Sequence, residues 1–278
     1  MSAQQQLAPE RSIFGIDPLD DFATLVGDWI LYHGGNRQNL EIEGKVGLII
    51  DSETGQRVQL PVRTETVVDL PRTRFESKMT MSQHASYNRL LNKLVSRSGD
   101  GSYTGAKVSY ARRKEVDYFH PAPGGGGKVR VTRDADTLAI KPNGIVQKSR
   151  VADLNVYCPG RAFDYRISVN TETPAQEPTS ESTSIREKNR LSYSHQNFVV
   201  DLTQVTMPEK PQEPIHELEI EFKDVPALLA AAQSRGGGAK GSADGASSSQ
   251  DWTAYDDQIL IFLNNLRLLI RNAPVDER

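Results

Sequence analysis

The chain has 278 residues, with 33 Lys and Arg against 36 Asp and Glu and a net charge of −3. This excludes a polycation that coats nucleic acid along its length, so phosphate binding must come from a local basic patch. At 37% hydrophobic and 25% charged residues the chain suits a soluble globular protein of one large or two small domains. The single cysteine, Cys158, excludes a disulfide framework and a cysteine metal site and fits a reducing compartment. No apolar run has membrane-spanning length and MSAQQQLAPER has no apolar signal core, so an intracellular protein without membrane association is expected.

Residues 1–20 are polar and are expected to form a flexible N-terminal segment. A helix is predicted over 21–32 from the spacing of Phe22, Leu25, Val26, Trp29 and Ile30, and Gly34-Gly35-Asn36 ends it. Strand signals follow at 40–50, 58–70 and 73–79. Tyr87, Leu90, Leu91 and Leu94 form the stripe of a helix over 82–94. Further strands are predicted at 107–119, 128–132, 145–157, 163–171, 184–194, 198–206 and 217–223. Between them, 124–127 reads as a hairpin tip, 171–183 as a polar loop and 208–214 as a rigid Pro-bounded connector. A short helix is expected over 224–232. Residues 234–250 read as a disordered Gly/Ser-rich insertion. Ile259, Leu260, Leu263, Leu266, Leu269 and Ile270 mark an amphipathic helix over 251–272.

Many strands of antiparallel type point to a sandwich or a barrel. Two of them carry most of the chemical information, Glu41-Ile42-Glu43-Gly44-Lys45 and Glu217-Leu218-Glu219-Ile220-Glu221. Alternate strand residues share a face, so each segment lines up carboxylates on one side. Like charges so close together are tolerated when a hard cation with oxygen ligands sits between them. The segments lie about 175 residues apart, and a closed sheet could join them. Other strands align cations: Arg186, Lys188 and Arg190; Lys128 and Arg130; Lys148 and Arg150; Arg112 and Lys114. Asp164, Arg166 and Ser168 share a face that Glu172 continues, and Asp201 aligns with Thr203.

For any one strand, a solvated outer face is the plainer reading. It weakens as such strands accumulate, because the opposite faces (Ile42, Val46; Val129, Val131; Leu218, Ile220) are apolar and the helices can cover them. The charged faces then look into a hydrated lumen whose natural guest is a polyphosphate with a divalent metal.

The segments EIEGKVG at 41–47, VRVTRD at 129–134, KSRVADLNVY at 148–157, DYRISVN at 164–170, RxKxR at 186–190, VDLTQV at 200–205 and ELEIE at 217–221 occur in one order across 22–275. In them the chain resembles the fungal mRNA-capping enzyme beta subunit, an RNA 5′-triphosphatase of the triphosphate tunnel metalloenzymes. The resemblance implies an α+β, mainly β fold: an eight-stranded antiparallel barrel with helices outside, formed by one domain over 21–275. It implies a divalent metal, Mg2+ or Mn2+, on Glu41, Glu43 and Glu221, with Glu219 ordering the attacking water. It implies triphosphate ligands at Arg130, Lys148, Arg186, Lys188 and Arg190. Lys45, Arg150, Ser168, Glu172, Asp201, Thr203 and Glu217 are supporting substrate-site groups. The implied reaction removes the γ-phosphate from triphosphate-ended pre-mRNA, the first step of capping. The implied partners are the RNA 5′ end, the guanylyltransferase subunit and a second copy of the chain, in the nucleus.

One departure concerns Val199. It stands where the family pattern has a basic residue two positions before the Asp of the DLT strand. Either a cation from another strand replaces it or phosphate contact there is weaker. No P-loop, HExxH or Cys-x5-Arg signature competes. The alternatives are an inorganic triphosphatase or NTPase of the same tunnel superfamily, and a non-catalytic polyphosphate-binding tunnel.

Overall fold

The computed structural model describes residues 12, 13, 20–234 and 252–274. In chain order the elements are α1 (Asp21–Gly34), β1 (Leu40–Asp51), β2 (Thr66–Val68), β3 (Thr73–Glu76), α2 (Met81–Gly99), β4 (Ser109–Pro121), β5 (Lys128–Asp134), β6 (Ile140–Tyr157), β7 (Asp164–Pro174), β8 (Ser184–His195), β9 (Phe198–Met207), β10 (Lys210–Phe222), α3 (Val225–Ala232) and α4 (Ala254–Arg271). Each α-helix starts at a side-chain cap, where a short polar side chain takes an N–H that has no partner within the helix. Asp20 caps α1 and Asp224 caps α3, while Thr80 with Gln83 and Thr253 with Asp256 form reciprocal capping boxes on α2 and α4.

Eight strands form an antiparallel barrel in the order β10-β9-β8-β4-β5-β6-β7-β1, closed by β1 pairing back onto β10. The closing seam is short: Glu43 faces Glu221, Gly44 faces Ile220 and Lys45 faces Glu219. The two remaining strands lie off the barrel, β3 on the second half of β1 and β2 on the end of β6.

The apolar core lies outside the barrel wall. The outward residues Ile42 and Val46 of β1, Ile167 and Val169 of β7, and Leu218 and Ile220 of β10 are buried against Ile259, Phe262, Leu263 and Leu266 of α4. Burying side chains of this size contributes on the order of 1.5–3 kcal/mol each. The Tyr255 hydroxyl donates to the Gly27 carbonyl at 2.8 Å, joining α4 to α1. The Tyr87 hydroxyl donates to the Leu269 carbonyl at 3.0 Å, joining α2 to α4. The barrel thus keeps its charged face for the lumen, as the alternation predicts, and no described helix is long and apolar enough to cross a membrane.

Several predicted boundaries change; the strand expected over 73–79 ends at Glu76, and that expected over 163–171 runs on to Pro174, into the predicted polar loop. Of the strand expected over 58–70, only Thr66–Val68 pairs, because Pro61 and the polar run before Thr66 leave no regular ladder. The connector expected over 208–214 instead belongs largely to the β9–β10 hairpin, and its prolines coincide with a register shift between Lys210 and Ile215. The helix expected over 82–94 continues to Gly99. The strand expected from 145 begins at Ile140. The hairpin tip at 124–127 is as expected, with positive φ at Gly124, Gly125 and Gly127. Of the N-terminal segment 1–20, residues 1–11 and 14–19, and of the insertion 234–250, residues 235–250, lie outside the described residues.

Candidate metal and phosphate site

The lumen holds a polar cavity of about 630 Å³. Strand register decides which side chains face it, because directly opposed residues lie on one side of the sheet. On β1 these are Glu41, Glu43 and Lys45, and on β10 Glu217, Glu219 and Glu221. Glu41, Glu43 and Glu221 each place a carboxylate oxygen within 4.8 Å of the others, and Asp201, Glu219 and Glu221 form a second such group sharing Glu221. Burial and the carboxylates of Glu219, Glu41, Asp201 and Glu43 push the Glu221 carboxyl well above its ordinary range. That is the mark of negative charge gathered without a cation, and an all-oxygen donor set fits a hard divalent ion. Glu41, Glu43 and Glu221, implicated by resemblance, are therefore brought together and suited to hold a metal.

The basic wall faces them. Lys148 of β6 pairs with Glu41 and lies 3.5 Å from Glu43. Lys45 lies 3.3 Å from Glu43 and 3.2 Å from Glu219. On β8, Arg186 reaches Glu217 at 3.3 Å, Lys188 reaches Asp117 at 2.5 Å, and Arg190 reaches Asp201 at 2.7 Å and Glu219 at 3.8 Å. Arg130 of β5 donates to Glu172 at 3.0 Å. Burial raises the Glu219 carboxyl, but Lys45, Arg190 and Lys148 outweigh it and hold the group well below the carboxylate range. Glu219 is thus ionised and fixed, a group that orients rather than one that readily takes a proton.

Thr203 lines the same cavity, its buried hydroxyl without a hydrogen-bond partner among the described residues. Ser168 and Asp201 are buried on the lumen faces of β7 and β9, opposite Glu43 and Glu219. Arg150 lines the cavity but is half exposed and donates to Asp153 at 2.9 Å. Val199 also has lumen parity, opposite Glu221 on β10 and Ser194 on β8.

The sequence reading missed several lumen groups. Asn170, on the parity of Ser168 and Glu172, donates through Nδ2 to Glu41 and Glu43 at 3.1 Å each and fixes both carboxylates. On β4 the lumen residues are Arg113, Glu115 and Asp117, whereas Arg112 and Lys114 lie on the other face. The run from Arg112 to Glu115 is charged on both parities, and only the buried Val116 marks the outer side. Asp153 reaches the lumen face because a register shift follows Arg150, and it accepts from the Ser168 hydroxyl at 2.7 Å. Nothing in the local sequence announces that shift.

Beyond Lys45 the lumen is filled. A Cβ on Gly47 would meet the Phe75 ring at 2.8 Å, and the Arg166 guanidinium lies over that ring at 4.8 Å. Further along, Asp164 accepts from Arg57, from the Cys158 N–H at 2.9 Å and from the Ile49 N–H at 3.1 Å. Outside the barrel, His216 lies tilted against His84 with ring centroids 4.6 Å apart, so neither histidine belongs to the site.

Residues 16–274 match the family described as mRNA capping enzyme, beta chain. The chain is 37% identical over 273 residues to the mRNA-capping enzyme subunit beta of Cryptococcus neoformans var. neoformans, covering 94% of this chain and 64% of that protein. It is 34% identical over 246 residues to the subunit of Schizosaccharomyces pombe, covering 84% of this chain and 75% of that one. The solved structure of the S. pombe RNA triphosphatase Pct1 superposes with a TM-score of 0.82 at 31% identity, covering 97% of this chain and all of that one. Pct1 in complex with the Spt5 CTD gives 0.83 at the same identity, covering 96% of this chain and all of that one. With the barrel, its carboxylate group and its basic wall in place, the chain belongs to the mRNA capping enzyme beta chain family.

Proposed function

We propose that this chain is a metal-dependent RNA 5′-triphosphatase that converts a 5′-triphosphate end to a diphosphate end and inorganic phosphate. The observation that carries this reading is the grouping of Glu41, Glu43 and Glu221 across the seam, with Arg and Lys from four other strands lining the same cavity. Mg2+ or Mn2+ fits the oxygen donors and, when bound, would supply Lewis-acid polarisation of a γ-phosphate oxygen. Arg130, Lys148, Arg186, Lys188 and Arg190 bind the remaining phosphate oxygens and neutralise charge that develops in transfer. Glu219, held ionised by Lys45 and Arg190, orients the water that attacks in line. Glu172, Glu217 and Asp201 hold Arg130, Arg186 and Arg190, Thr203 offers its hydroxyl to the cavity, Ser168 holds Asp153, and Arg150 adds charge at an exposed position.

The place of such an activity is the first step of mRNA capping, in the nucleus. Its partners are a guanylyltransferase, a second copy of the chain and, as for Pct1, the Spt5 CTD.

The test is phosphate release from γ-labelled triphosphate-ended RNA with Mg2+ or Mn2+. Glu41→Ala and Glu43→Ala are expected to lose roughly a hundred- to a thousandfold in turnover while still folded, as expected for removal of an electrostatic contact to the transition state. Near-normal release from either folded variant would overturn the mechanism. Tripolyphosphate hydrolysis without RNA hydrolysis would favour the inorganic triphosphatase reading.

A further inference from the structure

β4 places Arg113 on the lumen face, directly opposite Arg190 of β8. Like charges at facing positions of a strand pair repel. Arg190 is compensated by Asp201 and Glu219. Among the described residues Arg113 forms no ion pair. Its Nη2 donates to the Ser192 hydroxyl at 3.4 Å. Ser192 faces Asp201 across β8 and β9, so the guanidinium reaches along β8 toward the β9 wall. The next lumen position on β9 is Val199, which brings no charge and faces Glu221. The positive charge available in this part of the lumen beyond Arg190 therefore comes from β4.

Arg113 is exposed to solvent where it lines the cavity, and an anion between the two guanidiniums would offset their repulsion. Asp201 serves Arg190 in that way through an ion pair, whereas Arg113 acts on Asp201 only at longer range and has no ion pair of its own among the described residues. A phosphate group is the anion that suits two planar forks of N–H donors. We propose that Arg113 is a ligand of the bound polyphosphate, holding one phosphate group jointly with Arg190 and supplying from β4 the cation that Val199 does not supply from β9. The inference rests on the triphosphatase reading.

The experiment measures tripolyphosphate binding by calorimetry without divalent metal, and kcat/KM on triphosphate-ended RNA with Mg2+. The proteins are wild type, Arg113→Ser, Arg113→Lys and the double variant Arg113→Ser/Val199→Arg, with thermal unfolding recorded for each. Arg113→Ser is expected to lose about tenfold or more in affinity and in kcat/KM, as for one charge-assisted contact. Arg113→Lys should keep part of it, and Val199→Arg should return most of what Arg113→Ser loses. Wild-type affinity in Arg113→Ser overturns the proposal. So does a loss in Arg113→Ser that neither Arg113→Lys nor the added arginine at 199 repairs, which would assign Arg113 to packing. A wild-type chain that neither binds nor hydrolyses would overturn the triphosphatase reading itself.

Discussion

Lys188 and Asp117 form the most buried ion pair of the lumen, and the two partners are not equally served by it. Burial would raise the Asp117 carboxyl, but Lys188 and the Thr132 hydroxyl outweigh burial and hold it below 3.8. Lys188 moves the other way in terms of charge. Burial, together with Arg190 and Arg130, outweighs Asp117 and lowers its ammonium below 10.5. The difference has a simple origin: Lys188 has two cationic neighbours, Arg190 and Arg130, whereas Asp117 has Lys188 and Arg130 beside it. A bound polyanion would restore the balance and raise the Lys188 value. Binding then takes up protons wherever the free lysine has begun to lose its own, so affinity falls as pH rises through a value below that of an ordinary lysine. Polyphosphate affinity measured across alkaline pH should therefore decline early, with proton uptake visible in buffers of different ionisation heat. Lys188→Arg should flatten that limb, because a guanidinium keeps its charge. An alkaline limb unchanged by Lys188→Arg would place the titration elsewhere.

At the scale of the element, α4 lies on β1 at a distance set by one missing side chain. A Cβ on Gly44 would come within 2.8 Å and 2.9 Å of the two Leu266 methyls and 3.1 Å of Phe262. Gly44→Ala should therefore destabilise the fold by about 1–3 kcal/mol through overpacking, read as a lower denaturant midpoint at unchanged slope. Leu266→Ala leaves space that should relieve the alanine clash, so the double variant should be more stable than the sum of the single losses predicts. Strict additivity would mean that the two groups do not meet. The same elements show what could be read before the fold was known. Alternation in EIEGK and ELEIE assigned both faces correctly, because the apolar side is uninterrupted there. It failed on β4, where Arg112 to Glu115 carry charge on both parities. It could not reach Asp153, whose face depends on a register shift, or Asn170, whose amide is chemically plain until two carboxylates are seen beside it. Apolar content alone made a strand of 58–70, although ladder pairing requires an unbroken partner that only Thr66–Val68 finds. In each case the missing information is how one strand pairs with another.

The whole molecule is closed by its shortest seam, and that seam carries the carboxylates. Glu43 and Glu221 face each other there, with Glu41 and Glu219 beside them. A buried acid whose value is raised on folding is ionised more easily in the unfolded chain. Its contribution to stability is therefore lost as pH rises from the unfolded value toward the folded one. Glu221→Gln removes that charge and should raise the thermal midpoint of the metal-free protein at neutral pH. Mg2+ or Mn2+ should stabilise the wild type, by about 2.7 kcal/mol at a hundredfold excess over Kd, and should stabilise Glu221→Gln much less. Equal metal responses in the two proteins would remove Glu221 from the ligand set. The ion pairs that span the lumen have a further consequence for the guest. Lys148 is already engaged by Glu41, Arg186 by Glu217 and Arg130 by Glu172. The wall arrives with its counterions built in, so a polyphosphate exchanges places with carboxylates instead of displacing dissolved salt. Recognition in this tunnel is an internal swap of partners, and its sensitivity to ionic strength is correspondingly shallower than the number of arginines and lysines would suggest.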